Sequence, residues 1–396
     1  MSYSDPAHQN AVQEIYRKLG TIPIAAILKH REATRGSSPL IAVPETATVA
    51  EVMLLLRNEG ILAVPVYRVT EGQSGGRQYT GIISIHDILA YTVFQKLFDR
   101  LEPGSGAFVG DKAGELRDWI DSLMEDQEQY FGTPIGELVG LSRESQESWS
   151  LNASMPVSNL LQLLTAGAYH RALIVDDEGV LIERSEETEN LPEGSFTTMI
   201  TQTDVLAFLE DCVDLSQDAR QRIEQLPVKE INELVTRRLE HQQEQAQSKA
   251  TSTAERRTGK SRVVTVLDTA TALQAFRDLY IGGVSAVAVV DKEGGLAANL
   301  SASDLRGLSS SNLEGLLDPV FTFLEIDTRR RSDQVKADQL KFVEPDAPLS
   351  KAIAIIRDAH IHRVWIADEG DKPVGVVTVS DILSVFVPDG LMAIEQ

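Results

Sequence analysis

Four short stretches of this chain place a hydroxyl and a carboxylate three residues apart: Ser84-Ile85-His86-Asp87, Thr201-Gln202-Thr203-Asp204, Ser301-Ala302-Ser303-Asp304 and Thr378-Val379-Ser380-Asp381. Each follows a strand-like apolar run and precedes Ile, Val or Leu. An ionised carboxylate accepts hydrogen bonds at both oxygens, so at a helix start it can receive ligand hydroxyls or cap the helix. Capping would admit Ser, Thr or Asn as readily, yet all four stretches use Asp. Two basic pairs, His170-Arg171 and His362-Arg363, open strand-like runs. The planar fork of Arg offers paired, charge-assisted hydrogen bonds to phosphate oxygens. The plainer alternative for these pairs is a strand-edge salt bridge.

Those groups need elements to hold them. Around the first stretch, Pro39 to Pro44 reads as a brief strand stopped by proline. Thr48 can cap a helix with Val49, Val52, Met53, Leu55 and Leu56 on one face, and Gly60 ends it. Ala63 to Tyr67 and Tyr79 to Ile85 read as two more strands, and Asp87 leads into a helix through Phe94. The order strand, helix, strand, strand, helix returns at Trp149 to Leu209, Val263 to Asp304 and Lys341 to Leu383. Asp204 is read as starting the helix Val205 to Leu209. One hydroxyl-x-x-Asp match is weak. Four at the same place in a repeated unit are an architectural signal.

Between the copies, Leu116, Trp119, Ile120 and Leu123 form an amphipathic piece in an acidic stretch, and Glu183 to Glu193 reads as a solvated hairpin loop. Val228 to Leu239 can be helical. Glu244 to Lys260 lacks apolar periodicity and reads as a mobile linker or loop.

The totals limit the partners. A chain of 396 residues with 42% hydrophobic content can bury two to four cores. A net charge of −22 disfavours nucleic acid and anionic membrane, which need a basic face, but permits a small phosphorylated ligand held by a few local cations. The single cysteine, Cys212, excludes an intramolecular disulfide framework and a thiolate zinc cluster. No apolar run reaches the ~18 residues of a membrane span, and Met1 to Pro6 lacks the basic-then-apolar order of a secretion signal. A cytoplasmic or nuclear protein is expected.

At the scale of whole repeats, the sequence resembles cystathionine-beta-synthase (CBS) domains, in four copies over nearly the whole chain. Within that family it is similar to gamma-type subunits of the AMP-activated/sucrose-nonfermenting kinases, plant gamma-like relatives included. The residues that carry this are Trp149-Ser150-Leu151-Asn152, Tyr169-His170-Arg171-Ala172, Gly283-Val284-Ser285-Ala286, Asn299-Leu300-Ser301-Ala302-Ser303-Asp304-Leu305 and His362-Arg363-Val364-Trp365. The resemblance implies an α+β fold of four CBS domains arranged as two Bateman modules, with nucleotide clefts between paired copies. The copies are expected at 21–98, 132–212, 228–312 and 313–390. Around them stand an N-terminal segment 1–20, a connecting insertion 99–131, a linker 213–227 and a tail 391–396.

The resemblance also implies roles. Asp87, Asp204, Asp304 and Asp381, assisted by Ser84, Thr201, Ser301 and Thr378, would accept ribose hydroxyls. His170, Arg171, His362 and Arg363 would face a shared solvent channel and contact phosphates. Val284, Ser285 and Ala286 would cradle a base through backbone groups. Copies one and three depart from the pattern, because Leu62-Ala63 and Ser285-Ala286 replace His-Arg, so two phosphate clusters are expected rather than four. The implied function is non-catalytic: a sensor for which AMP, ADP and ATP compete, with no required cofactor. Its implied partners are kinase catalytic (alpha) and scaffold (beta) subunits, with no nucleic acid and no membrane. A second reading is a scaffold or adaptor with degenerate sites that binds proteins without nucleotide. A third, an enzyme with appended CBS modules, is disfavoured because four repeats leave too little sequence for a catalytic domain.

Other motifs carry less. His360 and His362 have no Cys or carboxylate cluster to complete a metal site. Gly72 to Gly76 lacks the Gly-Lys-Ser/Thr ending of a P-loop. Arg329-Arg330-Arg331 reads as a solvated loop, and no Ser-His-Asp or Cys-His arrangement is evident.

Overall fold

Short β-branched and aliphatic runs make the strands, and the stretch between the first two strands of each copy has helical periodicity. The computed structural model describes residues 5–36, 39–69, 77–91, 127–142, 144–145, 150–166, 169–176, 197–249, 263–308, 310–330 and 340–388. The Gly72 to Gly76 loop, the Leu116 to Leu123 piece, the Glu183 to Glu193 loop, Phe94, Trp149, Arg331 and the tail 391–396 lie outside the described residues.

The first sheet contains β1 (Val43–Pro44), β2 (Ala63–Val69) and β3 (Arg77–Ser84). The second contains β4 (Ser150–Asn152), β5 (Arg171–Val175) and β6 (Thr197–Thr201). The third contains β7 (Thr265–Leu267), β8 (Ala286–Val290) and β9 (Leu296–Ser301). The fourth contains β10 (Phe342–Val343), β11 (Arg363–Ala367) and β12 (Pro373–Thr378). In every sheet the middle strand pairs parallel with the first and antiparallel with the third. A parallel pair needs a crossover connection. The helices Val49–Asn58, Val157–Thr165, Ala272–Gly282 and Leu349–Asp358 supply it. Middle strands covered on both faces should be apolar throughout, and β8 is buried at every residue. The α+β repeat of strand, helix, strand, strand, helix expected from the sequence is the observed fold.

The core side chains fall into two hydrophobic clusters, one in each of two compact units. The first unit is Met1–Leu40, Trp149–Arg262 and Lys341–Gln396, and it holds the second and fourth copies. There Val379–Ser384 packs on Val157–Thr165 and on Gln202–Asp211. The second unit is Ile41–Ser148 and Val263–Leu340, and it holds the first and third copies. There Ile85–Ala90 packs on the 3-10 helix Ala302–Gly307.

Each copy is contacted by a segment from elsewhere in the chain. The helix Ala25–Arg35 precedes the first sheet but docks on the second copy, where Ile24 N–H donates to the Met155 carbonyl (2.8 Å) and Ala25 N–H to that of Ala153 (2.9 Å). Residues 133–139 precede the second sheet but dock on the first copy, through Val49 N–H to the Thr133 carbonyl (3.0 Å) and Ile135 N–H to that of Ala47 (2.7 Å). The later copies do the same. Val228 N–H donates to the Ala347 carbonyl (2.9 Å), and Val320 N–H to that of Ala270 (2.8 Å). An isolated bridge marks each junction: Pro23 with Pro156, Thr48 with Pro134, Pro227 with Pro348, and Thr271 with Pro319. Proline has no N–H to extend a ladder, which keeps each pairing this short.

One helix is longer than its pattern suggests. Val228–Lys249 continues past Leu239, into residues read from sequence as a linker. Gln, Glu and Ala sustain a helix by propensity without an apolar stripe.

Candidate functional site

The four hydroxyl-x-x-Asp turns fold alike. Ser84, Thr201, Ser301 and Thr378 are the N-caps of Ile85–Ala90, Gln202–Asp211, Ala302–Gly307 and Val379–Ser384, and the Asp stands at the third helical position. Its Oδ2 accepts the backbone N–H of the cap residue, at 2.8 Å for Asp87, 2.9 Å for Asp204, 2.7 Å for Asp304 and 2.8 Å for Asp381. This is a capping box, with cap and carboxylate satisfying each other's orphan donors. The helices therefore begin two residues earlier than a reading in which Asp starts them. The hydroxyl residue has extended backbone dihedrals and is the cap, and Asp is already inside the first turn. Capping and ligand binding thus need not compete, since they can use different oxygens of one carboxylate.

The preceding strand supplies the other half of each turn. The carbonyls of Leu62, His170, Ser285 and His362 accept the N–H groups of Ile85, Gln202, Ala302 and Val379, at 2.9, 3.1, 3.2 and 3.1 Å. The strand register sets Ala63 opposite Ser84, Arg171 opposite Thr201, Ala286 opposite Ser301 and Arg363 opposite Thr378. Opposed residues of an antiparallel pair share a face. His170, Arg171, Thr201 and Asp204 thus form one constellation, and His362, Arg363, Thr378 and Asp381 form another. Val284 and Ser285 follow Gly283, whose left-handed φ of 62° ends Ala272–Gly282. Gly60 has φ 66° at the same place in the first copy. In the fourth copy that place is His360, φ 52°, at a cost of about 1 kcal/mol for a residue with a Cβ.

Two cations here were not read from the sequence. Arg35 Nη1 donates to Asp204 Oδ1 at 3.3 Å, and Arg31 Nη1 lies 3.7 Å from Asp204 Oδ2. Arg31 also donates to the Met199 carbonyl (2.6 Å) and to Thr198 Oγ1 (3.1 Å). Both belong to Ala25–Arg35, which sequence order assigns to the first copy. Their i, i+4 spacing on one helix face is the signal that could have singled them out. Gln202 was also missed. It exchanges hydrogen bonds with Ser380 (2.9 and 3.1 Å), linking the second and fourth turns.

Asp87 has partners outside its own turn. Beyond its cap bonds, its Oδ1 accepts the Ser142 N–H (2.7 Å) and the Ser145 hydroxyl. The carboxylate is fully buried and engaged at both oxygens from within the chain, so it is not the open acceptor that its sequence position suggested. Among the described residues no group of three His, Cys, Asp or Glu could hold a metal, and no helix is long and apolar enough to cross a membrane.

A model of the CBS domain matches residues 36–93 and 334–388. These two segments are CBS domains. The matched segments contain the first and last copies, and the middle two share their strand order, their carbonyl-to-amide link and their capping box. This CBS-domain protein is similar to the SNF1-related protein kinase regulatory subunit gamma-like PV42a of Arabidopsis thaliana, 23% identical over 384 residues, or 89% of this chain and 93% of that one. It is also similar to protein SDS23 of Kluyveromyces lactis, 24% identical over 269 residues, which are 64% of this chain but 46% of that one. Among solved structures it shares the fold of protein MJ1225 from Methanocaldococcus jannaschii, with TM-score 0.54 and 16% identity over 89% of this chain and 97% of that one.

Proposed function

We propose that this CBS-domain protein is a regulatory subunit that binds adenine nucleotides and modulates a protein kinase complex. One observation carries the reading: in the second and fourth copies an Arg stands opposite the hydroxyl of a capping-box turn. An Arg suits phosphate oxygens and a carboxylate suits sugar hydroxyls, which supports the reading. Asp204, Asp304 and Asp381, with Thr201, Ser301 and Thr378, take ribose. His170, Arg171, His362 and Arg363 take phosphates of AMP, ADP or ATP. Val284, Ser285 and Ala286 border the base. Arg35, paired with Asp204 Oδ1, is released when ribose hydroxyls claim that oxygen and turns to the phosphates instead. No cofactor is required.

The kinase partnership, with alpha and beta subunits, rests on the gamma-like relative and its coverage of nearly the full length. A cytoplasmic or nuclear location goes with it. A ligand-free scaffold is the competing reading, and the self-satisfied Asp87 favours it.

Calorimetric titration of AMP and ATP on the wild type, Asp381→Ala and Arg363→Ala separates them. Losing one charged hydrogen bond costs about 1.5–3 kcal/mol, roughly 10- to 150-fold in affinity. No heat and no thermal shift with any adenine nucleotide leaves the scaffold. Affinity purification that recovers no kinase subunit counts against the partnership.

A further inference from the structure

An ionised carboxylate offers about four acceptor positions. On Asp87 four donors are in place. Oδ2 takes the Ser84 N–H (2.8 Å) and the Ser84 hydroxyl (2.7 Å), and Oδ1 takes the Ser142 N–H (2.7 Å) and the Ser145 hydroxyl. On Asp204 the corresponding Oδ1 meets, among the described residues, an Arg35 guanidinium that is more than half exposed, a partner that can leave.

The segment that reaches Asp87 is seated by several independent contacts. Ile135 and Leu138 are fully buried in the core of the second unit. Gly136 lies against Glu45, where an added Cβ would sit 3.0 Å from the Glu45 carbonyl oxygen. Val139 fills the space over Gly81 on β3, where a Cβ would meet its Cγ1 at 2.5 Å. Gly140 holds φ 99°, in the left-handed region, and donates its N–H to Ser145 Oγ (2.9 Å) while that hydroxyl faces Asp87. Leu141 N–H and Ser145 N–H close tight turns onto the carbonyls of Leu138 and Ser142, at 3.2 Å each.

We infer that the first copy is a self-filled half-site. Ser142 N–H and Ser145 Oγ–H occupy the acceptor positions on Asp87 that a ribose would need in the other copies. Asp87 there acts as an anchor that fastens the chain leaving the first copy. The contribution of this copy is to stability, and nucleotide binding is left to the turns at Asp204, Asp304 and Asp381. The inference rests on the nucleotide reading for those three.

The test uses the full chain, with AMP as the probe. Ser145→Ala and Asp87→Asn are compared with Asp381→Asn by thermal unfolding and calorimetric titration. Ser145→Ala and Asp87→Asn should each lower the melting temperature, by about 3–10 °C, and should bind no fewer AMP molecules per chain than the wild type, each within twofold of its dissociation constant. Asp381→Asn should weaken one AMP site at least tenfold. Fewer AMP bound by either first-copy variant, or an unchanged melting temperature in both, overturns the inference. If Asp87→Asn does not fold, Ser145→Ala decides alone by the same two readouts. A wild type that binds no AMP fails the parent reading instead, and the melting temperatures still report whether Asp87 is an anchor.

Discussion

At Asp204 one carboxylate serves two purposes. Oδ2 closes the cap of Gln202–Asp211, and Oδ1 faces Arg35. Arg35 is largely exposed, so its ion pair contributes under about 1 kcal/mol to stability. Replacing it therefore separates structure from binding. Arg35→Ala should lower the unfolding free energy from urea denaturation by less than that amount and still weaken AMP binding at least fivefold, as measured by calorimetry. An unchanged dissociation constant would show that Arg35 only shields Asp204. Arg31 is a poorer probe, because it also holds the carbonyl of Met199 and the hydroxyl of Thr198 on β6. His360 was weighed from the sequence only as an unlikely metal ligand. Its left-handed backbone gives it a local role, ending one helix two residues before His362.

Among the elements, the helix starts matter most. Each capping box holds its turn by reciprocal bonds, and the carbonyl-to-amide link ties that turn to the head of the middle strand. In the first unit the second and fourth turns are further joined by Gln202 and Ser380, whose helices pack together. Gln202 also donates to the Leu164 carbonyl (2.8 Å), so its amide is held from both copies. A double-mutant cycle on Gln202→Ala and Ser380→Ala should give a coupling energy of about 0.5–1.5 kcal/mol in urea denaturation. Additive effects would mean that the two copies touch there without supporting each other. Arg357 spans the same copies, pairing with Glu210 (2.7 Å) and Asp211 (3.5 Å). Burial pushes the Glu210 carboxyl up, and the Arg357 guanidinium beside it works in the opposite direction.

For the molecule as a whole, a net charge of −22 means that every nucleotide approaches a repelling field. The basic residues named above act against that background, which explains why a few cations at defined places matter more than overall composition. The same self-repulsion opposes folding. Salt shortens the Debye length from about 30 Å at 0.01 M to about 8 Å at 0.15 M. The thermal midpoint of the ligand-free protein should therefore rise across that range of NaCl. A falling midpoint would mean that ion pairs such as Arg357 with Glu210 outweigh the repulsion.

The sequence alone determined the repeat. Strand runs, helix periodicity and hydroxyl-x-x-Asp turns are written within a few consecutive residues, and four copies reinforce one another. It also determined the equivalence of His170-Arg171 with His362-Arg363, because register follows from hairpin pairing at short range. Helix starts were displaced by two residues, since a cap and an N3 carboxylate look alike when only their types are known. What the tertiary structure decided lies at long range. Arg35 reaches Asp204 across 169 residues, and Ser142 and Ser145 reach Asp87 across 55 and 58. These contacts exist because each copy is contacted by a segment that precedes a different copy's sheet. Local patterning shows that a segment is a helix or a turn, but the burial that docks it depends on surfaces assembled from the whole chain. Only the folded molecule could therefore show that Asp87 and Asp204, alike in sequence, have different partners.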